Sequence, residues 1–423
     1  MNTKLYTEKI CVIGLGYIGL PTASLLATKG FEVYGVDVNE QTVDMINRGR
    51  VHIYEPDLDV MVKAAVQSGR LRAFYEPQRA DVFIIAVPTP FTDGHKPDLS
   101  YIQHAVRTIA PLMELGNLII LESTSPVGTT ERIGEWLREI RPDLCIANRG
   151  VVLNGEQNQT VYLAHCPERV LPGQILRELV ENDRIIGGIE KRSAQKTKEL
   201  YQKFVKGELL LTDSRTAEMS KLTENAFRDV NIAFANELSL ICEDMDINVW
   251  ELIKLANRHP RVNILQPGPG VGGHCIAVDP WFIVDAVPQK SKLIRTAREV
   301  NDFKPQHVVN KIITLSDRFK KPVIACLGLA FKPDVDDLRE SPAVQIVTKL
   351  SENLSYRILI VEPHVTQLPE QLRENENVQL SSTMTAIHEA DIVVLLVNHK
   401  AFSDVDLTML KEKFIIDTRG MWQ

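Results

Sequence analysis

Short apolar runs alternate with helical periodicity through much of this chain. Lys9–Ile13, Phe31–Val36, Asp81–Val87, Asn117–Glu122 and Val161–His165 are continuously apolar or nearly so, the pattern of parallel strands buried on both faces. A helical segment follows the first run and stops at Gly30 after Lys29. From Glu208 to His259 neither Gly nor Pro occurs. Met219, Leu222, Phe227, Val230, Phe234, Leu238 and Ile241 recur there at helical spacing, which predicts one long helix from about Thr216 to Asp244. Asn248, with Glu251 three residues on, caps a second helix. Lys292 to about Arg318 reads as helix apart from Pro305.

A second alternating unit then begins. Strand Val323–Leu327 runs into Gly328-Leu-Ala-Phe-Lys-Pro333, a helix from about Ser341, and strand Arg357–Val361 ending in Glu362. The run Ala390-Asp-Ile-Val-Val-Leu-Leu-Val397 echoes Ala80-Asp-Val-Phe-Ile-Ile-Ala-Val87. The expected architecture is therefore α/β: two doubly wound Rossmann-like domains, 1–207 and 304–423, joined by a central helical domain over 208–303.

Composition narrows the classes. At 423 residues the chain is too long for one core. A net charge of -7 argues against nucleic acid or an anionic membrane surface as main partner. The six cysteines form no C-x-x-C pair, so neither a metal site nor a disulfide framework is indicated, and reduced cytoplasmic thiols fit best. The apolar runs are too short to span a bilayer.

The first strand is followed at once by Gly14-Leu-Gly-Tyr-Ile-Gly19, then helix, then a strand ending in Asp37. In that context G-x-G-x-x-G is a strong dinucleotide signal. Gly14 permits the turn, Gly16 lets the pyrophosphate approach and Gly19 lets helix pack on strand, with Tyr17 and Ile18 between them. Asp37 bonds the ribose hydroxyls and repels a 2′-phosphate, which favours NAD over NADP. Later strand ends bring Thr89, Ser123, Thr124 and Glu168 to the same crevice. The second unit has Ala330 and Pro333 where two fingerprint glycines would stand, so it should not hold a dinucleotide that way. Lys332, Arg339 and Arg419 at its strand and loop ends suit an anionic group.

The densest chemistry lies in Gly268–Pro280, GPGVGGHCIAVDP, where four glycines crowd Cys275 and Asp279 follows four residues on. Such a loop either holds an inert thiol or presents a nucleophile, with Asp279 placed to accept protons or position water. Lys221 and Asn225 are four apart and share one face of the long helix.

Taken together, GLGYIGLP, ESTSPVGTT, CPERVLPG, KLTEN, GPGVGGHCIAVDP and GLAFKPDVDDLRESPA resemble the UDP-glucose/GDP-mannose dehydrogenase family over nearly the whole chain. The resemblance implies an amino-terminal NAD domain, a helical dimerising middle and a carboxy-terminal domain for the nucleotide sugar. It implies oxidation of the sugar's primary alcohol to a carboxylate by two NAD. Cys275 would trap the aldehyde, Lys221 would stabilise oxyanions and Asn225 would orient the sugar. Asp279 with Thr124 would hold the water that serves as base, and Glu168 would assist acid–base steps. Arg169, Arg261, Gly272, Lys332, Arg339 and Arg419 would meet the substrate, Arg261 with a spacing to the cysteine that differs by two residues. Glucose-type members carry a second glutamate where Pro172 stands, which points to an N-acetylated sugar, UDP-N-acetyl-D-mannosamine first, with UDP-N-acetylglucosamine or UDP-glucose as alternatives. A two-electron hydroxyacid dehydrogenase, whose relatives also carry a catalytic lysine on helices, and a non-catalytic NAD-sensing protein are the competing readings. Cys275 in its glycine loop and the second α/β domain speak against the first, and the second would not need Lys221, Cys275 and Asp279 together.

Overall fold

A computed structural model describes residues 5–92, 94–148, 160–273 and 275–422. It divides into two compact units, Met1–Thr223 and Glu224–Gln423.

In the first unit strands β1 (Lys9–Ile13), β2 (Glu32–Val36), β3 (Leu71–Phe74), β4 (Val82–Ile85), β5 (Leu118–Leu121), β6 (Tyr162–His165), β7 (Arg184–Gly188) and β8 (Leu209–Asp213) form one sheet in the order β8-β7-β6-β5-β4-β1-β2-β3. Only the β6–β7 pair is antiparallel. The central strands are buried on both faces: Ile10, Val12 and Ile84 join one core layer, and Cys11, Phe83 and Ile119 the other. Helix α1 (Gly19–Thr28) leaves the end of β1 so closely that a Cβ on Gly19 would lie 1.8 Å from the Gly14 carbonyl. Gly14 itself has φ 91°, a conformation that only glycine adopts cheaply.

The second unit holds strands β9 (Val323–Leu327), β10 (Arg357–Val361), β11 (Val378–Leu380), β12 (Ile392–Leu395) and β13 (Phe414–Asp417), all parallel, in the order β11-β10-β9-β12-β13. The sequence echo is a structural one. Asp81 accepts a hydrogen bond from Lys9 N at 2.8 Å, and Asp391 accepts one from Val323 N at 2.9 Å, so each aspartate clamps the start of the neighbouring strand. Gly14 N donates to Val36 O and Gly328 N to Val361 O, both at 2.8 Å.

Helix α2 spans Ser214–Asp244, and α3 (Val249–Ala256) starts at the Asn248 cap, whose side chain accepts from Trp250 N and Glu251 N. Helix α4 (Lys292–Ser316) accommodates Pro305 without ending. The apolar stripe expected to bury α2 does so only in part. Leu222 is buried, but Phe227, Phe234 and Ile241 are 68%, 51% and 47% exposed. Asn225, Asp229 and Asn236 lie instead on the buried face. Among the described residues no helix is long and apolar enough to cross a membrane.

Candidate active site

The dinucleotide end of the first unit has the geometry its glycines imply. A Cβ on Gly16 would meet nothing within 4 Å, so the mouth of the loop is open to a ligand, whereas Gly14 and Gly19 are pressed against backbone. Asp37, at the end of β2, accepts from Leu15 N at 3.0 Å and from Asn39 N at 2.9 Å. It thus ties the glycine loop to the end of β2 while staying half-buried. Tyr17 and Ile18 are half-buried at the start of α1. Thr89 donates to the Thr124 carbonyl at 2.5 Å, which joins the ends of β4 and β5. These residues fit NAD, which supplies a hydride acceptor when bound.

Beyond β5 the chain turns through Ser125-Pro-Val-Gly128 into the helix Thr129–Ile140. Glu218, on α2 one turn before Lys221, holds that turn. Its carboxylate accepts from Gly128 N at 2.6 Å, Thr130 N at 2.8 Å and Thr130 Oγ1 at 2.6 Å. Burial pushes Glu218 up to about 7 against the pull of those donors. Helix α2 is therefore fastened to the segment that carries Thr124, and Lys221 is half-buried just beyond the fastening.

Glu168 is buried and paired with Arg184, Oε2 to Nη1 at 2.5 Å, while its Oε1 accepts from Arg169 N at 2.7 Å. It holds the CPERVLPG segment in place rather than standing as a solvated loop carboxylate. Arg169 is half-buried, its Nη1 donating to the Asp183 carbonyl at 3.2 Å. Glu55 accepts from Gly173 N at 2.8 Å and Ile175 N at 2.7 Å, which fixes the far end of that segment beside exposed Pro172. Next to this pair Glu122 accepts a hydrogen bond from Tyr201, and burial followed by the Glu168 charge raises it to about 7.

In the second unit the glycine loop is shaped by what it touches. A Cβ on Gly272 would lie 2.4 Å from the Glu340 carbonyl, and one on Gly268 would lie 2.7 Å from Arg419 Nη1. Gly273, at φ 80°, packs on the Phe331 ring and donates its N–H to the Arg339 carbonyl at 3.3 Å. Lys332 Nζ sits 5.6 Å from the same ring. The Arg419 guanidinium and the Arg339 carbonyl thus border the loop, the Arg339 guanidinium is paired with Asp337 at 2.6 Å, and Arg261 is exposed in the segment after α3.

The Cys275 carbonyl accepts from Val278 N at 3.1 Å and Asp279 N at 2.8 Å, a turn that opens the helix Asp279–Ala286. Cys275 is exposed, but Asp279 is buried and accepts from Asn225 Nδ2 at 2.5 Å. Burial pushes the thiols of Cys11, Cys166 and Cys326 to about 12, which makes them inert core residues.

Asp334, His364 and His399 cluster with potential ligand atoms within 4.8 Å of one another. The His399 Nδ1 lone pair is already taken by Asp334 N–H at 2.9 Å, and its Nε2 meets Glu362 at 3.1 Å. Burial raises the Glu362 carboxyl, but His399 and the N–H groups of Leu329 and His364 hold it below its ordinary range. Glu362 occupies the place that Asp37 has in the first unit, and with His399 it fills that corner with protein.

Sequence reasoning missed Glu218, Glu122, Arg184, Asp229, Asn236, Arg298 and Asn301. Polar residues at i, i+4 and i+11 on α2 were the available signal for two of them.

The family models for the UDP-glucose/GDP-mannose dehydrogenases match in all three parts: the NAD binding domain over residues 8–205, the central domain over 215–303 and the UDP binding domain over 325–423. The chain belongs to this family. It is an NAD-dependent nucleotide-sugar dehydrogenase. It is 59% identical over 413 residues to an NDP-N-acetyl-D-galactosaminuronic acid dehydrogenase of Ralstonia nicotianae, covering 98% of this chain and 96% of that one. It is also 59% identical over 399 residues to a UDP-N-acetyl-D-mannosamine dehydrogenase of Campylobacter jejuni, covering 94% and 97%. A UDP-D-ManNAc dehydrogenase structure from Pyrococcus horikoshii matches with a TM-score of 0.86 at 38% identity, covering 98% of this chain and 96% of that chain.

Proposed function

We propose that this dehydrogenase oxidises the primary alcohol of a UDP-N-acetylhexosamine to the uronate through a covalent bond to Cys275, with UDP-N-acetyl-D-mannosamine the preferred substrate. The observation that carries the reading is an exposed cysteine on a tightly constrained glycine loop, four residues from a buried carboxylate held by Asn225. The Gly14–Gly19 loop and Asp37 would hold NAD, which would supply the hydride acceptor for each of two oxidations. The alcohol loses its proton to a water held by Asp279 and Thr124, and Lys221 stabilises the developing alkoxide. The Cys275 sulfur then adds to the aldehyde carbon, and the resulting thiohemiacetal loses the second hydride to become a thioester. Water attacks that carbonyl, the carbon–sulfur bond breaks and the thiol is restored. Tethering the carbon between oxidations contributes on the order of 7–11 kcal/mol over a diffusing hydrate. Glu168, locked by Arg184, serves by positioning Arg169 and its loop; Lys332, Arg339 and Arg419 suit the diphosphate of the UDP group, with Arg261 reaching the sugar.

Pro172 in place of a glutamate and the Campylobacter relative's name support the N-acetylmannosamine reading. The Ralstonia relative, equally similar, supports a second reading, the galacto epimer. The exposed residues Phe227, Phe234 and Ile241, seven apart along α2, support a homodimer formed by the helical middle (208–303), and the free cysteines suit a reducing cytoplasm. Specificity constants for UDP-N-acetylmannosamine, UDP-N-acetylgalactosamine, UDP-N-acetylglucosamine and UDP-glucose test the assignment. An equal or better value for UDP-glucose contradicts it.

A further inference from the structure

The loop from Gly268 to Asp279 is held at both ends by asparagines on one face of α2. At its end Asn225 Nδ2 donates to Asp279 at 2.5 Å; at its start Gly268 N donates to Asn236 Oδ1 at 2.8 Å. Between these two asparagines, on the same face, lies Asp229, and behind them the network continues into α4. Asn236 Nδ2 donates to Asn301 Oδ1 at 2.8 Å, and Asn301 Nδ2 donates to Asp229 Oδ1 at 2.8 Å. Arg298 Nη1 donates to the same Asp229 oxygen at 2.5 Å. Asp229 and Asn236 are 0% exposed, and Arg298 and Asn301 1%.

The direction of every bond in this chain is set by one charge. A carboxylate only accepts, so Asn301 must turn its amino group to Asp229 and its carbonyl to Asn236. Asn236 must then donate to Asn301, which leaves its own carbonyl facing Gly268 N–H. A buried ion pair with amides is a costly way to join two helices, since apolar side chains of the same volume would often do as well or better. It does impose one orientation on the residue at its end, which apolar packing does not.

We propose that Asn236 and Asn301 form a buried amide relay, oriented by the Asp229–Arg298 pair, that positions the Cys275 loop for reaction. Asn236 and Asn301 are positioning residues, acting through the backbone of Gly268 and not on substrate. The inference rests on Cys275 being the nucleophile of the proposed reaction.

Asn236→Asp places an acceptor against Asn301 Oδ1, and Asn301→Ala cuts the relay without adding charge, so the second variant serves if the first does not fold. Two measurements on the full chain decide the matter. Hydrogen exchange followed by mass spectrometry reads the loop without any substrate. Steady-state kinetics on a UDP-sugar reads kcat separately from the Michaelis constant for NAD. The expected result is faster exchange confined to Gly268–Asp279, with kcat lowered about 10- to 100-fold and the NAD constant unchanged. Loop exchange and kcat equal to those of the unmodified protein overturn the relay. So does a general rise in exchange with kcat and the NAD constant changing together, which marks a merely structural contact. If the unmodified protein oxidises no UDP-sugar, the functional reading fails, while the exchange measurement still decides whether the relay holds the loop.

Discussion

Asn225 and Asp279, separated by 54 positions in sequence, are joined by a 2.5 Å hydrogen bond that fixes a buried carboxylate one turn on from Cys275, at the end of the cysteine loop. The carboxylate accepts and the amide donates, so Asp279 is held with its charge toward Asn225. Asn225→Asp would set a second carboxylate against it. Two acids in one buried site cannot both ionise easily, so one titrates at higher pH. The acid limb of the kcat profile should therefore move to higher pH, with activity falling below it. An acid limb in its original place would separate Asp279 from the base function.

Gly272→Ala tests the loop itself. A Cβ there would lie 2.4 Å from the Glu340 carbonyl, and backbone does not yield as a side chain would. The loop must shift, and kcat should fall by about 100-fold. NAD binding, read by fluorescence titration, should stay as it is, because the dinucleotide residues belong to the other unit. Full turnover in this variant would remove the loop from catalysis.

The two nucleotide loops show how much the sequence disclosed. Gly14, Gly16, Gly19 and Asp37 were legible as a motif because spacing, strand and helix all agreed: Gly14 and Gly19 press on backbone, Gly16 is open, and Asp37 accepts from Leu15 N. The strands β1, β2, β4, β5, β6, β9, β10 and β12 were legible to within a residue or two, since runs buried on both faces leave little ambiguity, whereas β3, β7, β8, β11 and β13 were not anticipated. Helix α2 was legible as a helix but not in its orientation. Its large apolar residues, Phe227, Phe234 and Ile241, face outward, and Asn225, Asp229 and Asn236 face inward. Periodicity reports which residues share a face and cannot tell a core from an interface. Glu218 and Arg184 were invisible for another reason: their partners, Thr130 and Glu168, lie far away or in another element, and no local pattern announces such a pairing.

Asp37 is the residue to which we assign the preference for NAD. Asp37→Ser, with an arginine introduced beside it, should lower the preference for NAD over NADP in paired specificity constants. The same change removes the acceptor for Leu15 N, so weaker binding of both cofactors is expected as well. Unchanged selectivity would take Asp37 out of the ribose site.

Glu122 carries a stability signature. Burial raises its carboxyl from 4.5 to about 7, so the folded protein binds a proton there that the unfolded chain releases between those values. Stability from this group is therefore present below about 4.5 and lost as pH rises toward 7. Glu122→Gln, which never ionises, should lack that loss. The melting temperature of the variant relative to the unmodified protein should rise across this window, and a constant difference would refute the assignment.

The most direct measurement is a quenched single turnover with UDP-N-acetylmannosamine and NAD, followed by mass spectrometry of the peptide that contains Cys275. The mechanism predicts a sugar adduct on Cys275 that decays to uronate, two NADH for each sugar and no free aldehyde; Cys275→Ala should lose overall turnover. One NADH per sugar with no adduct, or full activity in Cys275→Ala, would contradict it.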